Sequence, residues 1–255
     1  MVTNPRTFIG QAEIGQLSPF EAAEGDAMPP LDLNKLPPGV VSGQTLIDFS
    51  ATPDAEVRAG VTLSMLFASR VATQAVKVNG GNEDDWLATY TSSLGRLGFA
   101  TAGMAMVKSS FKKTGVEVHK AIIPFLTIAF GGAAIGPIIL AALQNLQSMN
   151  ADKPWITLFE HQAKRFNVRE MHFAAVSSTP TDTLIRYAIA RLNVAVDQTT
   201  ILFFKITQAS AEFESATTTM TANNSLLAAS EQDLRLRLGA MTKKFITGMD
   251  IGDEG

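Results

Sequence analysis

The chain has 255 residues, enough for one large domain or two small ones. Hydrophobic residues make up 46% and charged residues 18%, with a mean hydropathy of +0.13, so charge is scarce for a globular chain. A net charge of −3 argues against an electrostatic nucleic-acid binder, and the absence of cysteine excludes disulfides, thiolate–metal sites, thiol nucleophiles and S-palmitoylation.

The first twenty residues lack a basic region followed by an apolar core, so a conventional secretory signal is not expected. Residues 1–39 carry Pro5, Pro19, Pro29, Pro30, Pro37 and Pro38 among glycine and acidic residues. This composition reads as an extended or disordered arm with no packed core of its own. Val40–Phe49 reads as a first strand, weakened by Gly43. Thr52-Pro53-Asp54 is a helix start, with Thr52 as the capping hydroxyl and Pro53 at the first helical position. Val57, Val61, Leu63, Leu66, Phe67 and Val71 form an apolar stripe, and Asn79-Gly80-Gly81 ends the helix. Asn82 caps a second helix with Glu83, Asp84 and Asp85 at its positive end. Trp86, Leu87, Tyr90, Leu94, Leu97 and Phe99 point inward, and the helix is expected to stop at Thr114-Gly115 beside Lys112 and Lys113. Together these are one helical hairpin.

Ala121–Asn150 then runs thirty residues without a charge. It is long enough to cross a bilayer, which takes about 20 apolar residues, but its middle holds Gly131-Gly132 and Gly136-Pro137, which break helices. It is either one membrane span or two short buried helices. The globular reading places helices at Val116–Phe130 and Ile135–Met149, with Gly131, Gly132, Gly136 and Pro137 as the turn of a second hairpin.

Beyond it the pattern changes to strands. Val168–Ser178 reads as one and Thr183–Val196, which alternates, as the next, with a turn over 178–182 between them. Thr199–Thr207 and Ala211–Thr221 follow, giving an antiparallel meander. Leu226–Ile246 reads as a closing helix. Residues 249–255 form an acidic, mobile tail. Helix hairpins followed by strands indicate an α+β fold, with residues 40–248 as a single domain whose central antiparallel sheet is flanked by two layers of helical hairpins.

Sites for chemistry are sparse. His119, His161 and His172 occur in no metal-binding motif and are expected to be exposed or at strand edges. Asp84 and Asp85, adjacent on a helix, diverge by about 100° and fit a capped helix start better than a catalytic pair. Gly131-Gly132-x-x-x-Gly136 lacks the Lys-Ser/Thr of a phosphate loop, and no Gly-x-Ser-x-Gly elbow is present. Lys108, Lys112, Lys113 and Lys120 form a basic cluster, either a solvated helix end or a contact for anionic lipid headgroups.

Three segments in order carry a resemblance: KPWITLFEH (Lys153–His161), IRYAIARLNVAVDQ (Ile185–Gln198) and TTILFFKITQASAEFES (Thr199–Ser215). From Trp155 to Met220, roughly a quarter of the chain, the sequence resembles the Cyt family of cytolytic δ-endotoxins, whose fold is shared by the mushroom cytolysin volvatoxin. The resemblance implies a soluble protein that binds lipid directly and disrupts membranes by oligomerisation or detergent-like action. It implies no enzymatic step and no cofactor, and removal or rearrangement of the N-terminal arm before action. The expected partners are target-cell membrane lipids and further copies of the chain, with a dimer in solution, and no nucleic acid. Release by a non-classical route is expected. The candidate membrane-interacting residues are Phe125, Ile128, Phe130, Ile135, Ile138 and Ile139 in the apolar run, and Leu202, Phe203, Phe204 and Ile206 in the strand that follows. The rival readings are a non-toxic carrier of lipid or acyl chains, an integral membrane protein spanning with 121–143, and an enzyme of unassigned class.

Overall fold

A computed structural model describes residues 4–16, 31–52, 54–104, 106–110, 117–132, 134–165, 168–193, 202 and 212–251. In chain order the elements are α1 (Pro5–Gln11), β1 (Gly39–Ser42), β2 (Thr45–Ala51), α2 (Ala55–Asn79), α3 (Glu83–Arg96), β3 (Ala100–Thr101), β4 (Val107–Ser110), α4 (Val118–Phe130) and α5 (Pro137–Gln144). A 3₁₀ turn at Leu146–Ser148 precedes α6 (Pro154–Ala163), β5 (Lys164–Arg165), β6 (Val168–Ser178), β7 (Asp182–Asn193), β8 (Glu212–Asn223), α7 (Asn224–Leu238), α8 (Met241–Phe245) and β9 (Ile246–Gly248).

The sheet runs β3-β8-β7-β6-β2-β1-β9, with β4 also on β8 and β5 on β6. The long strands β6, β7 and β8 form an antiparallel meander, joined between β6 and β7 by a tight turn at 179–181; β7 pairs directly with β8, without the intervening strand that the sequence reading puts between them. β2 lies parallel to β6, with Thr45 opposite His172 and Ile47 opposite Ala174. This parallel pair makes the sheet mixed, because β2 arrives from a region 120 residues earlier rather than from a hairpin with β6.

Helices cover both faces. α2 and α3 pack on one face, with α7 and α1 against α2 and each other, and α4, α5 and α6 lie on the opposite face. Alternation along the strands separates the two sets of side chains. Glu170, His172, Tyr187 and Arg191 meet α3, whereas Phe173, Ala175 and Asp48 meet α5 and α6. This is an α+β architecture with a sheet between two helical layers.

Several local outcomes differ from the sequence reading. Residues 4–16 are part of the packed body, not an arm without a core. Asn4 caps α1 by accepting from the Arg6 amide at 3.0 Å, and Phe8, Ile9 and Ile14 are buried. Phe8 meets Phe67 edge-on with ring centroids 5.6 Å apart, and the Arg96 guanidinium sits 3.8 Å above the Phe8 ring. A helix of seven residues, about two turns, carries too little periodicity to announce such a dock. Val40–Phe49 is a hairpin rather than one strand: Ser42 pairs with Thr45 and the two-residue turn needs the positive φ of Gly43 (58°). Asp54 caps α2, taking the Glu56 and Val57 amides at 2.8 and 3.2 Å. The Thr52 hydroxyl instead donates to the Val176 carbonyl at 3.0 Å.

Asn82 caps α3 as expected, and the Asp85 carboxylate accepts in turn from the Asn82 amide at 2.9 Å, closing a reciprocal capping box. The helix they open stops at Arg96, well before Gly115, because Ala100–Thr101 and Val107–Ser110 pair with β8 at the sheet edge. Trp155 lies in a helix that starts on Pro154, and the closing helix breaks near Gly239 into α7, α8 and β9, the last pairing with β1. The start of the acidic tail is tethered: Lys153 donates to the Asp250 carboxylate at 2.8 Å and Trp155 Nε1 to its carbonyl at 3.0 Å.

Candidate functional site

The uncharged run forms two helices, not one span. α4 buries Val118, His119, Ile122, Leu126 and Phe130, a stripe with helical spacing, and α5 buries Ile139, Leu140, Ala142 and Leu143. Gly131 closes α4 in the left-handed conformation. Gly136 opens α5 with φ 73°, and a Cβ on it would lie 2.7 Å from the Phe130 ring and 3.4 Å from Ala175 Cβ. The turn therefore requires glycine there both for its backbone and for the seat of the hairpin on β6. Among the described residues no helix is long and apolar enough to cross a membrane.

The sequence candidates are thereby brought together on one helix pair. Phe130 and Ile139 face the sheet and are fully buried; Phe125, Ile135 and Ile138 are half-buried; Ile128 is 82% exposed. Phe125 meets Phe213 of β8 edge-on at 5.7 Å. The outer surface of the hairpin carries Pro124, Ile128, Ala134 and Pro137, all exposed and none charged.

Polar contacts hold the pair at two points. Asp48 of β2 accepts from the Ile138 and Ile139 amides at the start of α5, at 2.6 and 3.3 Å. At the start of α4, the Leu202 carbonyl accepts from the His119 amide at 3.3 Å and from His119 Nδ1 at 2.7 Å. The Leu202 amide donates to the buried Glu160 of α6 at 2.8 Å. Leu202 is fully buried but sits in a turn, not in the expected strand; Phe203, Phe204 and Ile206 lie outside the described residues.

Of the basic cluster, the two described members lie on different elements. Lys108 lies in β4 with Glu214 opposite it in register, and Lys120 lies in the first turn of α4, 3.0 Å from Glu117. That Lys120 hydrogen bond holds the Glu117 carboxyl below its usual range, against the opposing effect of burial. Lys112 and Lys113 lie outside the described residues.

The opposite face of the sheet holds a buried charged ladder that the sequence did not announce. Glu170, Arg191 and Glu214 are direct cross-strand neighbours on β6, β7 and β8. Arg191 Nε donates to Glu170 at 2.8 Å, and its Nη1 donates to Glu214 at 3.2 Å and to Asp84 of α3 at 2.8 Å. Glu170 also accepts from His172 Nε2 at 2.8 Å, and the Tyr187 hydroxyl lies 2.5 Å from His172 Nδ1. A carboxylate can only accept, so Nε2 carries a proton, and in the neutral ring Nδ1 accepts from Tyr187. Trp86, Tyr90 and Tyr187 each place a ring centroid 5.6 Å from the imidazole.

Burial alone would raise the Glu170 carboxyl; the hydrogen bond and charge of His172, with the Arg191 guanidinium, outweigh it and hold the carboxyl below its ordinary value. Burial, with the neighbouring Tyr90 and Glu170, pushes the Tyr187 phenol well above its ordinary value. His119 and His172 are thus core residues, not exposed ones. Asp84 and Asp85 separate as their helical spacing requires, one to Arg191 and one to the Asn82 cap. The only sequence signal for the ladder is the i, i+2 spacing of Glu170 and His172. Among the described residues no group of three His, Asp or Glu is placed to hold a metal ion.

No protein-family model matches this chain, and no curated protein matches it. Among solved structures it is similar to one described as the Evf virulence factor, at 15% sequence identity and a TM-score of 0.35, with 92% of this chain and 91% of that one covered. A likeness at that TM-score bears on neither the activity nor the site.

Proposed function

We propose that the protein is a membrane-active cytolysin that binds target-cell lipids directly through the α4–α5 hairpin, self-associates on the membrane and disrupts it without an enzymatic step. The single observation that supports this reading is the hairpin itself. It is uncharged from Ala121 to Asn150, apolar on its outer surface and seated on the sheet mainly by apolar contact.

Apolar surface gains about 25 cal/mol per Å² on leaving water, whether protein or lipid replaces the water. The inner face of the hairpin can therefore exchange sheet for acyl chains at little net cost. Its backbone groups stay paired because both segments remain helical. The thirteen residues of α4 measure about 20 Å, shorter than the roughly 30 Å hydrocarbon core. The hairpin therefore wedges into one leaflet instead of spanning.

A reversible lock tests this. A Cβ built on Gly39 would lie 2.7 Å from Ile138 Cγ2, which brings the two Cβ atoms within disulfide reach, with Met249 yielding slightly. The chain has no cysteine of its own, so Gly39→Cys with Ile138→Cys gives one defined bridge. Dye release from vesicles of phosphatidylcholine and phosphatidylglycerol is expected from the native chain, to be lost in the oxidised variant and restored by reductant. Intact vesicles with the native chain across lipid compositions, or equal release from the oxidised and reduced variant, contradict the reading.

A further inference from the structure

We propose that Asp48 is the latch that keeps the hairpin closed on the sheet. Gly136 precedes the helix and has no side chain to cap it; Pro137 has no N–H; Leu140 donates to the Gly136 carbonyl at 3.1 Å. That leaves the Ile138 and Ile139 amides, and Asp48 Oδ2 accepts from both, at 2.6 and 3.3 Å. Helix starts normally find this acceptor in their own capping residue. Here it comes from a strand ninety residues earlier in the chain.

The carboxylate is as dependent on the hairpin as the hairpin is on it. Asp48 is 1% exposed, and its other oxygen accepts from the Ser50 amide at 2.8 Å. Among the described residues it has no cationic partner; its charge is balanced by main-chain N–H groups and the positive end of α5. Lifting the hairpin strips two of the three hydrogen bonds from the carboxylate and leaves two helix amides bare at the same moment. A single contact thus makes the seated and lifted states distinct instead of continuous. Along the sheet the rest of the hairpin surface is apolar and lipid can substitute for it, so the polar resistance there sits at the start of α5; a second polar hold, His119 on the Leu202 carbonyl, lies at the start of α4.

The consequence for membranes rests on the function proposed above, whereas the latch is measurable without lipid. Asp48→Asn keeps the shape and one acceptor but removes the charge, and Asp48→Ala removes both. Hydrogen exchange of the full-length variants in buffer is the test. Amides of 138–144 are expected to exchange about five- to tenfold faster in Asp48→Asn, as for the loss of a helix cap, with amides of 168–193 unchanged. Dye release from phosphatidylcholine and phosphatidylglycerol vesicles rises in the order native, Asp48→Asn, Asp48→Ala. If Asp48→Ala does not fold, Asp48→Asn alone carries the comparison. Unchanged exchange at 138–144, or loosening spread equally into 168–193, overturns the latch. Faster exchange at 138–144 with vesicles left intact by native and variant chains alike upholds the latch and overturns the membrane reading.

Discussion

The two faces of the central sheet are covered by helices in chemically opposite ways. Toward α3, the cover is fastened by charge: Arg191 ties Glu170, Glu214 and Asp84 together, and the His172 imidazole sits between a carboxylate and a phenol. Toward α4 and α5, the cover is fastened by apolar surface and, along the strands, by one carboxylate that reads helix amides. A buried ion that loses its partner in lipid is costly, so the first cover has no equivalent substitute. An apolar face finds an equivalent in acyl chains, so the second does. The same sheet therefore carries a permanent layer and an exchangeable one.

The contrast breaks most visibly at Arg191. Arg191→Met takes the guanidinium from the buried Glu170 and leaves it His172 alone, which costs about 3–5 kcal/mol and registers in denaturant unfolding of the whole chain. A much smaller loss, with exchange loosened only in α3, would mean that the ladder fastens one helix and not the sheet.

Acid weakens the same layer. Because the folded Glu170 carboxyl titrates below its ordinary value of 4.5, its contribution is fully present above that value and is lost as pH falls through the lower folded value. Unfolding free energy measured from pH 6 downward should fall in that window, and Glu170→Gln should flatten this part of the fall. An unchanged slope in the variant would assign the acid sensitivity to other groups.

The smallest stability effect belongs to the exchangeable layer. Ile128→Ser changes an exposed side chain and should shift stability by less than about 0.5 kcal/mol. Vesicle binding should nonetheless weaken, because the outer surface of the hairpin meets lipid first. Unaltered binding would move the lipid contact elsewhere on the molecule.

Much of the frame was legible in the residues. Val168–Ser178 occupies the strand its composition indicates, Asn82 caps α3, and Gly131 and Gly136 turn the apolar run back on itself. The reading failed where distant pairing overrides local pattern. The sequence reading continues the helix past Phe99 to Thr114-Gly115, yet β8 offers backbone partners to Ala100–Thr101 and Val107–Ser110 and they pair there. Asp48 looks like one polar residue in a strand until α5 is set against it. Arg191 acquires its carboxylates only through the register that puts Glu170 on one side and Glu214 on the other.

The chain by itself determined that a long greasy segment is interrupted by glycines at which it can fold back, that strands follow helices, and that no thiol chemistry is available. These follow from periodicity, backbone freedom and composition, each confined to neighbouring residues. Which helix layer is bound by charge and which by grease was decided only in three dimensions. A one-residue slip in strand pairing turns every side chain to the other face, and no stretch of sequence read alone contains its register with a partner.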